Sequence, residues 1–272
     1  MMHGRKFGVC LRMDELILGD CVEVMAGMDE DTVDLTVTSP PYDELRDYKG
    51  YTFNFDDTAK QLYRITKPGG VVVWVVGDSV IDGSESSTSF KQALRFKEIG
   101  FKLHDTMIYR KRGSSLPDPT RYFQAFEYMF VFSKGRPKTI NKIYDVKNTW
   151  VGEHSSDTVR EKDGKTWSRK ARVTPEYSYR PNIWTYDIGW MKTTTDDYAY
   201  EHPAMFPEGL ARDHIKSWSN EGDLVLDPFC GSGTTCKMAK YQLRKYIGIE
   251  ASDVYMKIAK RRMAQGVMHD FL

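Results

Sequence analysis

The run Gly70-Val71-Val72-Val73-Trp74-Val75-Val76 constrains the fold more than any other stretch of the chain. It has β-branched and aromatic character and no polar alternation, so neither of its faces can meet water. A strand of that kind needs layers on both sides, as in a helix-covered parallel sheet. Lys67-Pro68-Gly69-Gly70 punctuates its entry, as Pro and Gly do at element boundaries. Further apolar runs lie at 16–18, 34–38, 223–227 and 245–250, and helical patterns at 90–100 and 254–266 alternate with them. Residues 105–113 and 125–135 read as two more strands forming a hairpin-like antiparallel edge. The alternation predicts an α/β fold with a mostly parallel seven-stranded sheet.

With 272 residues, 40% of them apolar, the chain can bury one large core or two modest ones. No stretch of about eighteen apolar residues exists, so a membrane span is not expected. The first twenty residues lack the apolar core of a signal peptide, and patterned sequence begins at Met13. Cys10, Cys21, Cys230 and Cys236 form no CxxC pair and the six histidines are scattered. That usage predicts a reduced, cytoplasmic protein with no metal. Net charge is +1, but residues 134–172 carry eleven Lys/Arg against five Asp/Glu. Tyr144, Trp150, Trp167, Tyr177 and Tyr179 fall in or beside that window. Cations interleaved with aromatics suit phosphate contact and base stacking, although a solvated loop would also look this way. Periodicity fades from about 135 to 181, which reads as an insertion and not as a second core.

The stretch Asp227-Pro228-Phe229-Cys230-Gly231-Ser232-Gly233-Thr234-Thr235 follows one apolar strand and opens a helical pattern, and Glu250 ends the next strand. Gly231 and Gly233 permit a sharp turn and close backbone approach to a ligand, in front of a helix N-terminus. An acid about twenty residues on suits ribose hydroxyls. A P-loop is excluded, since no Gly-Lys-Ser/Thr follows. A dinucleotide fingerprint is half met, with Cys236 where its third glycine belongs. A carboxylate at Asp227 disfavours a pyrophosphate and suits an ammonium-bearing ligand such as S-adenosylmethionine (SAM). A strand that halts on Ser39-Pro40-Pro41-Tyr42 is the second anomaly, because consecutive prolines neither continue a ladder nor start a helix.

Taken together, Thr38–Tyr42 and Asp227–Thr235 resemble the two signature motifs of the amino-methyltransferases of DNA. Three further segments, at 17–42, 201–229 and 247–263, match the family in consistent order. The Ser-Pro-Pro-Tyr motif precedes the glycine loop, as in the circularly permuted β group, which favours DNA over protein or ribosomal RNA substrates. The resemblance implies a Rossmann-like SAM-dependent methyltransferase fold spanning 1–272, with 134–181 as an inserted target-recognition region. It implies methyl transfer to the exocyclic amino group of a base flipped out of double-stranded DNA. Ser in the first motif position leans toward cytosine N4, with adenine N6 as the alternative. An NAD-dependent oxidoreductase and an inactive DNA-binding module are remote alternatives.

The residue types suit that chemistry. Ser39 Oγ and the Pro40 carbonyl can accept from the amino group and free its lone pair, Pro41 stiffens the backbone, and Tyr42 can stack on the base. By resemblance, Asp227 takes the methionine end of SAM, and Phe229, Gly231, Ser232, Gly233, Thr234 and Thr235 shape its pocket. Glu250 takes the ribose, and Ser252, Asp20 and Cys21 lie near the adenine. His202 orients or caps within the same site. Expected DNA contacts are Arg46 and Tyr48 after the catalytic motif, Arg112, Arg121 and Tyr122 in a late loop, and Lys134, Arg136 and Arg169 in the insertion. The family leaves open a homodimer, a cognate restriction endonuclease, and a bacterial or phage origin.

Overall fold

The computed structural model describes residues 13–41, 53–113, 119–155 and 158–265. They form two compact units, one of residues 1–141 with 182–272 and one of residues 142–181.

The larger unit is built on one eight-stranded sheet. Its strands are β1 (Glu15–Leu18), β2 (Val33–Thr38), β3 (Thr66–Val76), β4 (Lys102–Arg112), β5 (Phe126–Ser133), β6 (Ile183–Asp187), β7 (Leu224–Asp227) and β8 (Lys245–Glu250). They lie in the order β1-β8-β7-β2-β3-β5-β4-β6. β5 alone runs antiparallel to both neighbours; every other adjacent pair is parallel. The sheet is therefore the α/β sheet expected, with β4 and β5 paired antiparallel near one edge. It has eight strands and not seven. The extra one, β6, is half apolar and exposed at its ends, so its sequence carries no fully buried run to announce it.

Six helices accompany the sheet: α1 (Cys21–Ala26), α2 (Phe55–Ile65), α3 (Thr88–Ile99), α4 (Glu208–Trp218), α5 (Thr234–Tyr241) and α6 (Asp253–Met263). β3 is buried from Gly70 to Val76, as a strand covered on both faces must be. On one face Trp74 packs edge-on against Phe55 and Phe96, at 5.9 and 5.1 Å between ring centroids. Its indole N–H donates to Gln92 Oε1 at 2.8 Å, so burial leaves that donor satisfied. No described helix is long and apolar enough to cross a membrane.

The smaller unit, residues 142–181, has short antiparallel pairs, Tyr144–Lys147 with Tyr177–Tyr179, His154–Ser155 with Arg172–Val173, and Thr158–Arg160 with Thr166–Ser168. Trp150, Trp167, Tyr144, Tyr177 and Tyr179 are all exposed on it. Residues 134–141, expected to open the insertion, are bonded into the larger unit: the Gly69 amide donates to the Lys134 carbonyl, and the Asn141 amide to that of Ser217.

Candidate active site

The parallel strands β1, β2, β7 and β8 all end on one cleft. Its lining comes from Gly19–Val22 after β1, Ser39–Pro41 after β2, Asp227–Ser232 and Thr234 after β7, and Ile249–Ser252 at the end of β8. Phe53, Asn54, Thr58, His202, Ala204–Phe206 and Tyr255 complete it. A crevice outside the carboxyl ends of parallel strands is where open α/β sheets bind ligands. The cleft measures about 1100 Å³, mouth included. Ser39, Pro40 and Pro41 thus share a space with Asp227, Gly231 and Glu250, nearly 190 residues away in the chain. Tyr42, Arg46 and Tyr48 lie outside the described residues.

Asp227 is the electrostatic centre of the cleft. Its carboxylate is 2% exposed, accepts from Thr38 Oγ1 at 2.6 Å and from the Phe229 amide at 3.1 Å. Burial pushes its pKa up to about 6, against the lowering effect of these hydrogen bonds. The Thr38 bond also locks the residue before Ser39 to the strand that launches the glycine loop. Glu250 accepts the Gly231 amide on Oε2 at 2.8 Å and the Ser252 amide on Oε1 at 2.9 Å. Burial raises its pKa too, while those amides and that of Ala251 favour the charge. A carboxylate has about four acceptor positions, so both oxygens keep capacity for a ligand.

Gly231 has φ +51°, and a Cβ there would sit 2.7 Å from His202 Nε2. The loop can pass His202 only without a side chain. His202 Nδ1 accepts the Ala204 amide at 3.1 Å and its ring packs on Tyr255 at 4.4 Å, which makes it an orienting residue of the cleft wall. Phe229 meets Phe53 edge-on at 5.2 Å. Cys21 lines the cleft with Sγ 3.6 Å from Thr58 Oγ1, and burial raises its thiol pKa to about 11, so it stays a neutral wall. Asp20 Oδ1 accepts the Val22 and Glu23 amides at 2.8 and 3.1 Å and caps α1. Ser252 Oγ is buried, belongs to the lining, and has no hydrogen-bond partner among the described residues.

Two residues expected at the cofactor do not line the cleft. Thr235 is fully buried and donates its hydroxyl to the Val37 carbonyl at 3.0 Å, which ties α5 to β2. Gly233, at φ +82°, turns the loop into α5 beside Ala259. Ser232 and Thr234 do line it, and both also accept from Arg262. Of the expected DNA contacts, Arg112 ends β4 on the cleft's side of the sheet, 3.6 Å from Asp187. Arg121 donates to the Gly83 carbonyl, and Tyr122 is fully exposed. Arg169 is exposed on the smaller unit. Lys134 and Arg136 correct the expectation, because they sit at the opposite end of the sheet. Lys134 Nζ pairs with Asp31, just before β2, at 2.7 Å, and the Arg136 carbonyl lies beside Gly69. Sequence reading missed Phe53, Asn54, Thr58 and Tyr255; their only signal was helical periodicity that reads as core.

Among the described lining residues there are three carboxylates, Asp20, Asp227 and Glu250, and no Lys or Arg. Such a cleft repels a pyrophosphate and suits a cationic ligand with hydroxyls. Residues 33–261 match the family model described as DNA methylase, the N6/N4 methyltransferase family. The chain belongs to this family. The enzyme is a SAM-dependent DNA amino-methyltransferase, and the oxidoreductase alternative falls away. It is 57% identical over 249 residues to the orphan methyltransferase M.BamHII of Bacillus amyloliquefaciens, with 90% of each chain covered. It is 28% identical to the type II methyltransferase M.SmaI of Serratia marcescens, covering 93% and 91%. A DNA modification methylase of Thermus thermophilus, solved with S-adenosyl-L-methionine, is 25% identical with TM-score 0.61, covering 93% and 96%. The cytosine-N4-specific PvuII DNA methyltransferase shares the fold, with TM-score 0.66 over 93% and 86% at 23% identity.

Proposed function

We propose that the enzyme methylates N4 of cytosine in a specific double-stranded DNA sequence, and that the Ser39–Tyr42 motif holds the target base. The observation that carries this reading is the convergence of Ser39, Pro40 and Pro41 on the cleft of Asp227, Gly231 and Glu250. An exocyclic amino group is a poor nucleophile, since its lone pair is delocalised into the ring. Ser39 Oγ and the Pro40 carbonyl accept its two N–H bonds and draw the nitrogen toward tetrahedral geometry. Consecutive prolines keep that carbonyl out of the sheet ladder and aimed at substrate. Tyr42 stacks on the extruded base. SAM supplies an electrophilic methyl group on a sulfonium. Asp227 takes its ammonium, Glu250 its ribose hydroxyls, and Ser252 Oγ, Asp20 and Cys21 bound the adenine. Catalysis is then largely placement of the amino nitrogen in line with the methyl group.

The placement of Ser39–Tyr42 ahead of the Gly231 loop in the chain fits the permuted β group and favours DNA. Residues 142–181, with exposed tryptophans among lysines and arginines, read the target together with Arg112, Arg121 and Tyr122. Such a reaction belongs in the cytoplasm of a bacterial cell. Cytosine is favoured over adenine by Ser at position 39. The test is mass spectrometry of nucleosides from unmethylated genomic DNA incubated with enzyme and SAM. N4-methylcytosine is expected. N6-methyladenine would overturn the base assignment, and no methylated base with SAM bound would overturn the DNA-sequence reading.

A further inference from the structure

Behind the glycine loop lies a polar cluster that no step above uses. Arg262 on α6 is fully buried, and Lys237 on α5 and Asp196 are nearly so, with Glu208 beside them. Arg262 Nη1 donates to the Ser232 carbonyl at 3.0 Å, to Ser232 Oγ at 3.1 Å and to Thr234 Oγ1 at 3.0 Å. Its Nε donates to Asp196 Oδ2 at 2.8 Å, and its Nη2 to Glu208 Oε1 at 2.5 Å and Thr194 Oγ1 at 3.3 Å. Lys237 Nζ donates to the same two carboxylates, at 2.7 and 2.9 Å. Two cations thus meet two anions, and the buried charges cancel.

The arrangement has a direction. One edge of the guanidinium holds the loop wall of the cleft, Ser232 and Thr234. The other edge holds the segment from Thr194 to Glu208, which supplies His202 and Ala204–Phe206 to the facing wall. A buried ion cluster is weak as a source of stability, since desolvation offsets most of the attraction. A planar guanidinium does offer fixed donor directions that an ammonium cannot.

We infer that Arg262 is a positioning residue for SAM: it sets the spacing between the glycine loop and the His202–Phe206 wall, and so the affinity of the cleft for the cofactor. The inference rests on the reading that the Gly231–Thr234 loop holds SAM. Arg262→Lys keeps the charge but cannot reach the loop and both carboxylates together.

The test is calorimetric titration of the full-length protein with SAM, without DNA, alongside KM values and melting temperatures. Arg262→Lys is expected to weaken SAM binding at least ten-fold, with KM for DNA and kcat at saturating SAM within about three-fold of wild type. Gln265→Ala removes a bond to Asp196 Oδ1, 3.1 Å long, on the far side of the cluster, and is expected to lower the melting temperature with SAM affinity within two-fold. Binding that falls in proportion to melting temperature in both variants, or is unchanged in Arg262→Lys, overturns the inference. Asp196→Asn releases the Arg262 Nε anchor and decides the matter should Arg262→Lys not fold: at least three-fold weaker binding supports it, and unchanged binding overturns it. Glu250→Gln separates the two readings. Unaltered SAM binding there sinks the site assignment itself, whereas impaired binding there with normal binding in Arg262→Lys sinks only the role of Arg262.

Discussion

The two ends of the central sheet carry the same kinds of side chain under opposite conditions. At the N-terminal ends of the parallel strands, carboxylates pair with lysines in partial contact with water: Asp34 with Lys67 at 2.6 Å, Asp31 with Lys134 at 2.7 Å, Asp14 with Lys245 at 3.0 Å. At the C-terminal ends, Asp227 and Glu250 are withdrawn from water and held by a hydroxyl and backbone amides, with no cation beside them among the described residues. The first arrangement costs little and contributes little. The second costs stability, and a ligand bearing positive charge recovers it. Solvation and partner type, more than residue type, separate the functional end from the structural one.

The largest effect is expected from Asp227→Asn, which should weaken SAM binding by ten- to a hundred-fold in calorimetric titration. The same variant should be more stable than wild type without cofactor at pH 8. Because the folded pKa of Asp227, about 6, lies above its unfolded value, folding favours the protonated form. The stabilising contribution is complete below about pH 4 and lost as pH rises through 6, a swing of at most about 3 kcal/mol. Thermal melts of both proteins from pH 5 to 8 should therefore diverge with rising pH, and SAM should bind wild type more tightly across the same interval. Parallel pH profiles would mean that Asp227 is not the strained charge.

A smaller effect is expected at Ser252. Its hydroxyl is buried without a partner among the described residues, so Ser252→Ala should leave the cofactor-free melting temperature unchanged or slightly raised. SAM affinity should fall three- to ten-fold if that oxygen is kept for the ligand. Smallest of all, Lys134→Ala should cost no more than about 1 kcal/mol in denaturant melts and leave DNA affinity within two-fold, in contrast to Arg121→Ala. A large loss of DNA binding in Lys134→Ala would erase the distinction between the two ends.

The sequence made the buried end legible where burial left a pattern. Val71–Val76 could only be a covered strand, and Ser39-Pro40-Pro41 and the Asp227–Gly233 turn broke local rules visibly enough to mark the cleft. Lys134 misled because a lysine in a basic window looks the same whether it faces DNA or pairs with Asp31. Thr235 misled for a related reason: a hydroxyl after a glycine loop is as ready to tether α5 to the Val37 carbonyl as to face a ligand. Arg262 was invisible as well. In Lys260-Arg261-Arg262 it reads as one more solvated charge at a helix end, and its partners lie 28 to 68 residues away in the chain. Only the three-dimensional packing that brings Asp196, Glu208 and Ser232 around it gives it a role.

The most direct test of one cleft serving both cofactor and base is single-turnover methyl transfer by Ser39→Ala, with SAM affinity measured on the same preparation. Loss of one amino-group acceptor should slow transfer about a hundred-fold, about 2.7 kcal/mol, while SAM affinity stays within two-fold of wild type. Transfer at the wild-type rate would contradict the assignment of Ser39 to the reacting base.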